Sequence, residues 1–122
     1  MKSKKIETII RNFKTPEILS INYNLENIEI QYSVDEFEEY FITFNNPIGF
    51  KCLHERDLGS FWKDKKMVEN WIVEILEGGW LKTEIDNGFI SNHIFEVREF
   101  LIKGIDDCVT VFASNEPIIR KI

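Results

Sequence analysis

Four side chains of this sequence are of the types that bind zinc or act as nucleophiles: Cys52, His54, His93 and Cys108. Structural zinc sites take four such ligands, and the ligand pairs are usually close together in the chain, on tight turns. Cys52 and His54 meet that spacing, but His93 and Cys108 are 15 positions apart (108 − 93). The spacing therefore argues against a metal site, and we expect this protein to bind neither a metal ion nor another cofactor.

Cys52 and His54 also raise the question of a thiol nucleophile that is activated by a neighbouring imidazole. Because they are two residues apart on a predicted strand, their side chains leave the same face of the sheet. That arrangement rarely lets the imidazole meet the thiol in the required geometry, and no glycine-rich oxyanion loop accompanies the pair. We therefore predict that both cysteines of the chain are buried free thiols in a reducing compartment.

Carboxylates are the other chemically capable group, and four of them crowd into one segment: Asp35, Glu36, Glu38 and Glu39. Hydrolases use two acids at a defined separation, and one of the two is desolvated so that it can donate a proton. Neighbouring acids in a polar turn stay hydrated, so we expect no enzymatic activity from them. Two interpretations remain: a solvated connection between strands, or an acidic surface that binds another protein.

The acidic segment belongs to a longer stretch without any basic residue. No Lys or Arg occurs between Lys14 and Lys51, whereas the same stretch holds seven carboxylates: Glu17, Glu26, Glu29, Asp35, Glu36, Glu38 and Glu39. Uncompensated negative charge repels itself in a compact fold and attracts cationic partners at long range. The stretch is therefore the strongest functional lead in the sequence.

The overall charge favours a basic protein as the partner of this chain. The 122 residues carry a net charge of −6, and residues 1–15 alone sum to +4, which leaves −10 for the remainder. Such a surface repels nucleic-acid backbones, and it argues against membrane binding by the short basic N-terminal segment. No apolar run approaches the roughly 20 residues that cross a bilayer, and no secretory signal is visible. We therefore expect a cytoplasmic protein that binds neither nucleic acid nor membrane.

Two segments have the spacing of short helices. Ser3 can cap the first helix, which Pro16 ends and whose apolar stripe comprises Ile6, Ile9, Ile10 and Phe13. The second covers residues 55–66, where Leu58, Phe61 and Trp62 share one face. For residues 80–85 the pattern does not decide between a strand and a helix.

Alternation of apolar and polar residues predicts strands over most of the remaining chain. These strands cover residues 28–34, 39–45, 48–54 and 71–75. A final hairpin joins residues 93–103 to residues 108–113, and Pro117 restricts the tail to an edge strand or an extended end. The predicted fold is a single α+β domain over residues 1–122, with a largely antiparallel β-sheet, a short N-terminal helix and one or two short interior helices.

Two stretches of the sequence are similar to recurring motifs of a known group of proteins. The first stretch contains NPIGF at residues 46–50 and ERDLGSFW at residues 55–62. The second contains HIF at residues 93–95, FLI at residues 100–102, DCVTV at residues 107–111 and NEP at residues 115–117. Over residues 46–117 the chain thus resembles the small bacterial immunity proteins that are encoded beside polymorphic or contact-dependent toxins.

This resemblance implies a function that agrees with the charge distribution. Immunity proteins bind a cognate toxin in the cytoplasm and block it, and many such toxins are nucleases, which need basic surfaces. We therefore predict a non-enzymatic immunity protein whose toxin-binding residues are Glu29, Asp35, Glu36, Glu38, Glu39 and Tyr40. Three alternatives stay open: a regulatory or adaptor domain, an acidic mimic of nucleic acid, and an enzyme that uses carboxylates or the pair of Cys52 and His54.

Overall fold

Two antiparallel β-sheets make up most of this protein in a computed structural model, which describes residues 2–10, 16–35, 38–54, 71–88, 90 and 96–122. The elements in chain order are β1 (Lys2–Lys5), β2 (Pro16–Tyr23), β3 (Asn27–Val34), β4 (Glu38–Asn45), β5 (Gly49–His54), β6 (Ile72–Glu77), α1 (Leu81–Asp86), β7 (Arg98–Lys103), β8 (Asp107–Ala113) and β9 (Ile118–Lys121). The larger sheet has the order β1-β6-β7-β8-β5, and the smaller sheet has the order β2-β3-β4-β9. Over the described residues the fold is therefore mostly antiparallel β, with one short helix.

The smaller sheet has one buried face because its two central strands alternate strictly. The side chains that β3 and β4 turn inward are Ile28, Ile30, Tyr32, Val34, Tyr40, Ile42 and Phe44, all of them buried. Full burial of such a side chain stabilises the fold by roughly 1.5–3 kcal/mol. The Tyr32 hydroxyl also donates a hydrogen bond of 2.6 Å to the Lys103 carbonyl oxygen, which links β3 to β7 in the other sheet.

The centre of the larger sheet is buried on both faces. Its central strands β7 and β8 contain no exposed residue. One face packs on the smaller sheet, where the ring centroids of Phe100 and Phe44 are 5.2 Å apart. On the opposite face, Leu101 and Phe112 belong to two separate apolar clusters, and Trp80 packs against both of them.

A buried carboxylate fixes the start of α1 on this second face. Glu99 is only 1% exposed, and it accepts hydrogen bonds from the backbone N–H groups of Trp80 (3.1 Å) and Leu81 (3.0 Å). Burial raises the pKa of the Glu99 carboxyl, although these two bonds and Lys51 oppose the rise. A side chain at position 79 would overlap this carboxylate, so Gly79 allows the close approach. This contact accounts for a helix, and not a strand, in the segment that the sequence pattern left undecided.

The predicted N-terminal helix is wrong. Residues Lys2–Lys5 form β1, which pairs with the edge of β6, and the Ile6 N–H extends the pairing by donating to the Ile72 carbonyl at 3.1 Å. Ile6 is buried in the core, whereas Ile9 is 56% exposed, so the apolar stripe of the predicted helix does not form one buried face. Pairing with a neighbouring strand has overridden a local helical spacing that is only two turns long.

Strand β2 was not among the predicted strands, and a bulge explains why. The pairing of β2 with β3 shifts between Ile18 and Ser20, so one extra residue interrupts the alternation. As a result, Ile18 and Ile21 both pack against the core although they are three positions apart. A search for period two therefore misses this segment.

Most of the other predicted strands are present. β3, β4, β5 and β6 overlap the predicted segments, and β7 and β8 confirm the final hairpin, although the strands form two sheets instead of one. β9 follows Pro117 as an edge strand of the smaller sheet, as expected. The helix predicted over residues 55–66 lies outside the described residues.

A network of charged side chains holds the margin of the core. Arg98 donates two hydrogen bonds of 2.8 Å to the two carboxylate oxygens of Glu74, a residue that is 7% exposed. These bonds are the main reason why the pKa of the Glu74 carboxyl is lowered, although burial opposes the shift. Glu116 lies 3.2 Å from the same guanidinium, and Lys4 lies 3.6 Å from Glu74.

Replacing Glu74 by Gln should reduce the free energy of unfolding by about 2 kcal/mol at neutral pH, because Arg98 loses its bidentate partner inside the fold. The folded-state pKa of Glu74 is lowered, so its contribution exists above the unfolded-state pKa and disappears as the pH falls through the folded-state value. Urea denaturation between pH 3 and pH 7 should therefore show a smaller loss of stability with acid in the variant than in the wild type. Glu77→Gln, at an exposed position of the same strand, is the control. Equal pH dependence of Glu74→Gln and wild type would contradict the prediction.

Candidate functional site

Two of the predicted binding residues, Glu29 and Glu39, lie on the outward face of the smaller sheet. On β3, Glu29, Gln31 and Ser33 alternate with the buried residues and therefore point away from the core. β4 adds Glu39 and Phe41 to the same face, because Ser33 pairs with Glu39 and Gln31 pairs with Phe41. No other strand packs on this face among the described residues.

The structure separates those clustered acids of the predicted site that it describes. Glu39 lies on the outward face, whereas Glu38 starts β4 opposite the buried Val34 and so lies at the inward margin of the sheet. Asp35 is in the turn between β3 and β4, with a φ of 51°, and Glu36 lies outside the described residues. The acidic cluster therefore extends around one end of the sheet and does not line a single face.

Tyr40 is placed differently from the other predicted binding residues. It is only 4% exposed, and its ring belongs to the core. Its hydroxyl donates a hydrogen bond of 2.7 Å to the Glu38 carboxylate, which raises the pKa of the tyrosine and is the main reason why the pKa of Glu38 is lowered. Tyr40 therefore contributes to the surface mainly by orienting Glu38.

Glu17 joins the outward face through β2, the strand that sequence reasoning missed. It is exposed and pairs with Ser33, which pairs on its other side with Glu39. The two carboxylates are thus two strand spacings apart, about 10 Å. Gln31 donates a hydrogen bond of 3.4 Å to Glu39 and can accept one of the same length from Ser20. The charge pattern had already included Glu17, but only the bulged strand reveals its position.

A turn of the larger sheet extends the acidity at this end. The Ile105 N–H donates a hydrogen bond of 2.9 Å to the Pro16 carbonyl oxygen, directly before Glu17. The exposed Asp106 is therefore at the same end of the protein as the acidic turn after β3. Sequence reasoning had interpreted this segment only as a turn, because the contact with Pro16 is between distant parts of the chain.

Strand β9 brings two cations to the acidic residues. Arg120 Nη2 lies 3.3 Å from Glu29 Oε2, and the guanidinium lies 4.5 Å from the centroid of the Phe41 ring. Lys121 Nζ lies 3.3 Å from Glu38 Oε1. Exposed ion pairs of this kind contribute little to stability, and the cations of another molecule can replace them.

We define the acidic surface by the described carboxylates Glu17, Glu29, Asp35, Glu38 and Glu39. Together with Arg120 and Lys121 its formal charge is −3, from five acidic and two basic side chains. The compensating cations are distant in the chain, since Arg120 follows Glu29 by 91 positions. Among the described residues, the net negative charge of this surface is thus smaller than the stretch without basic residues indicates, but its carboxylates still outnumber its cations.

The two cysteines are not paired with each other in a reactive site. Leu53 is opposite Cys108 in the ladder, and Cys52 is opposite Val109, so the two thiols leave opposite faces of the sheet. Cys108 is buried as predicted, and burial is the main cause that raises its pKa to about 12. Cys52 is exposed, which corrects the prediction that both thiols are buried. Cys52 leaves the inward face of β5, but β5 is an edge strand of the larger sheet. Fewer neighbouring residues therefore cover the thiol than the alternation in the sequence predicted.

The other predicted chemistry is only partly covered by the structure. Desolvation, and then the charge of Asp107, raise the pKa of the Cys52 thiol, which disfavours the thiolate that a nucleophile requires. Within the described ranges, no three His, Cys, Asp or Glu side chains are grouped so that they could hold a metal ion. His93 lies outside those ranges, so the absence of a metal site stays a prediction.

Searches beyond the structure add no identification. Comparisons with protein-family models, with curated protein sequences and with solved structures found no match to this chain. In the part of the chain that the structure describes, no helix has the length and apolar character needed to span a membrane. The similarity to immunity proteins therefore stays a prediction, and the functional argument depends on the geometry of the acidic surface.

Cys52 should react slowly with iodoacetamide in the folded protein at pH 7.5, because its raised pKa leaves less thiolate than in a free cysteine. We expect a rate several-fold below that of the urea-unfolded chain, measured by mass spectrometry over time. Cys52→Ser should abolish labelling of the folded protein, since Cys108 is buried. Labelling of folded Cys52 faster than a free cysteine would contradict the prediction and would support the nucleophile alternative.

Proposed function

We propose that this protein is an immunity protein, which binds a basic toxin of the nuclease type in the cytoplasm and blocks it without catalysis or a cofactor. The observation that supports the proposal is that Glu17, Glu29 and Glu39 point outward from one sheet face, on which no other described strand packs, with further acids around its end. A rigid sheet presents these side chains in a fixed arrangement, so binding requires little ordering of the backbone. The charge and the resemblance over residues 46–117 point to the same class of partner.

Electrostatic competition is the mechanism that this surface supports. A nuclease holds the phosphates of its substrate with Lys and Arg side chains, and an acidic protein surface competes for the same cations. Long-range attraction increases the association rate, and salt screens it over a Debye length of about 8 Å at physiological ionic strength. The inhibitor therefore needs no bond-making residue, only carboxylates that face the toxin.

The free protein already carries a weak internal competitor for these carboxylates. Arg120 and Lys121 each lie 3.3 Å from an acid of the surface, and both side chains are more than half exposed. A toxin that brings its own cations displaces these contacts, so part of the attraction is offset in the free protein. The carboxylates attract the toxin, whereas Arg120 and Lys121 weaken that attraction, and mutations can change the two effects separately.

Reversing two outward charges, with Glu17→Lys and Glu39→Lys, should lower the association rate for the toxin about tenfold or more at low salt. The partner in this experiment is the inactivated product of the adjacent toxin gene, and the rate is measured by surface plasmon resonance at several salt concentrations. The salt dependence of the association rate should also become smaller, because fewer charges attract the toxin.

The matched control for this charge reversal is Glu77→Lys with Glu96→Lys. Both residues are exposed and belong to the part of the chain around the larger sheet, so the net charge changes equally at another location. An equal loss of association rate in both double variants would contradict the role of the acidic surface in binding the toxin. A wild-type protein that does not bind the toxin at all would contradict the proposed function itself.

Neutralising the internal competitor, with Arg120→Gln and Lys121→Gln, should raise the association rate roughly threefold at low salt. The physical reason is that the formal charge of the acidic surface changes from −3 to −5 when both cations are lost. Lys2→Gln with Lys82→Gln is the control, because both side chains are exposed and lie away from this surface. A rate that stays constant or falls in the Arg120 and Lys121 variant would show that these cations do not compete with the toxin.

A further inference from the structure

Leu25 combines backbone strain with unusual exposure. It lies in the turn between β2 and β3 with a φ of 77°. This is the left-handed region of backbone conformation, which residues other than Gly, Asn and Asp rarely adopt. Its exposure of 80% is the highest among the large apolar side chains of the described residues. The turn therefore carries a leucine where a glycine or an asparagine would fold with less strain and expose less apolar surface.

The strained conformation is held by the surrounding polar groups and not by Leu25 itself. Asn24 Oδ1 accepts hydrogen bonds from the N–H groups of Glu26 (2.9 Å) and Asn27 (2.8 Å). The Asn46 N–H donates a bond of 2.7 Å to the Glu26 carbonyl, which attaches the turn to the connection after β4. The backbone of Leu25 is thus held in one conformation, while the residue stays 80% exposed. Strain that persists in this way is typical of functional positions.

Two other apolar side chains flank the turn. Tyr23 is 40% exposed and its ring packs edge-on against Phe50, with centroids 5.3 Å apart. Ile48 is 42% exposed and follows Asn46, which is bonded to the turn. We call Tyr23, Leu25 and Ile48 the apolar tip.

The apolar tip and most of the acidic surface lie at opposite ends of β3, and Tyr23 pairs with the buried Ile28 and so leaves the inward face. β3 begins beside the tip and runs for eight residues, about 26 Å, past the outward Glu29 to the acidic turn. A standard protein interface covers about 800 Å² of each partner, so its width is similar to the length of β3. One partner can therefore contact the acids and the tip together.

We propose that Leu25 is the apolar anchor by which this protein holds its cationic partner, inserted into an apolar pocket at the margin of the partner's basic surface. This inference rests on the proposed function and names the part of the interface that sets the lifetime of the complex. Exposed charges mainly govern the association rate, whereas desolvated apolar anchors govern dissociation. Because the turn is already rigid, little backbone freedom is lost when Leu25 enters a pocket, and only the rotamers of its side chain become restricted.

A second copy of this chain is a weaker explanation of the apolar tip. Stable dimers bury more than about 1,000 Å² in total, which is beyond what three partly exposed side chains and their symmetry mates can supply. The turn of the tip also contains the exposed Glu26, so two copies that meet there bring like charges together.

Leu25→Asn tests the inference, because asparagine accepts the left-handed conformation and removes the apolar side chain. Thermal denaturation of the free protein should show a melting temperature about 3 °C higher than that of the wild type. With the inactivated toxin, the dissociation rate should rise at least tenfold while the association rate changes less than twofold. The control is Leu76→Asn, which changes a side chain of 51% exposure on β6 of the larger sheet and should leave both rates unchanged.

The outcomes separate the two proposals. If the wild-type complex forms and its dissociation rate is the same for Leu25→Asn, the anchor is overturned and the proposed function stands. If the wild type forms no complex with the toxin, both proposals fail. If sedimentation shows a dimer of the wild type that Leu25→Asn disrupts, the tip binds a second copy and the inference about the toxin is overturned.

Discussion

The register of β3 is the constraint on which the rest of the structure depends. A shift of one residue would move Ile28 and Ile30 to the outward face and bury Glu29. The apolar side chains of β3 and the hydrogen bond from Tyr32 to the Lys103 carbonyl oppose that shift. The outward acids are therefore positioned by residues that never reach the surface, and any function of those acids is linked to the packing of the two sheets.

The sequence predicts well those strands whose neighbours leave their alternation intact. β3 alternates regularly and was predicted, whereas the β7–β8 hairpin was predicted from β-rich segments on either side of a turn. The N-terminal segment was predicted as a helix because four apolar residues fit its spacing, but pairing with β6 decides its structure. α1 depends on Glu99, which lies 18 positions after Leu81, and nothing in a local pattern marks a buried carboxylate as a helix partner.

The candidate site shows the same division between local and distant information. The stretch without basic residues identified the acids, and alternation is enough to place Glu29 outward. The phase of β4 was not determined by the sequence, and that phase buries Tyr40 and turns Glu39 outward instead of Glu38. Nor does any local pattern indicate that Arg120 and Lys121 return to these acids, because the contact depends on β9 pairing with β4.

The contrast between the two sheets has a consequence for how this protein can diverge. β7 and β8 are covered on both sides, so almost every substitution there alters packing. The outward residues of β3 and β4 share their strands with the core but make no part of it, so they can be exchanged one by one at little cost in folding stability. The charge and shape of this face can thus change during divergence while the scaffold stays constant.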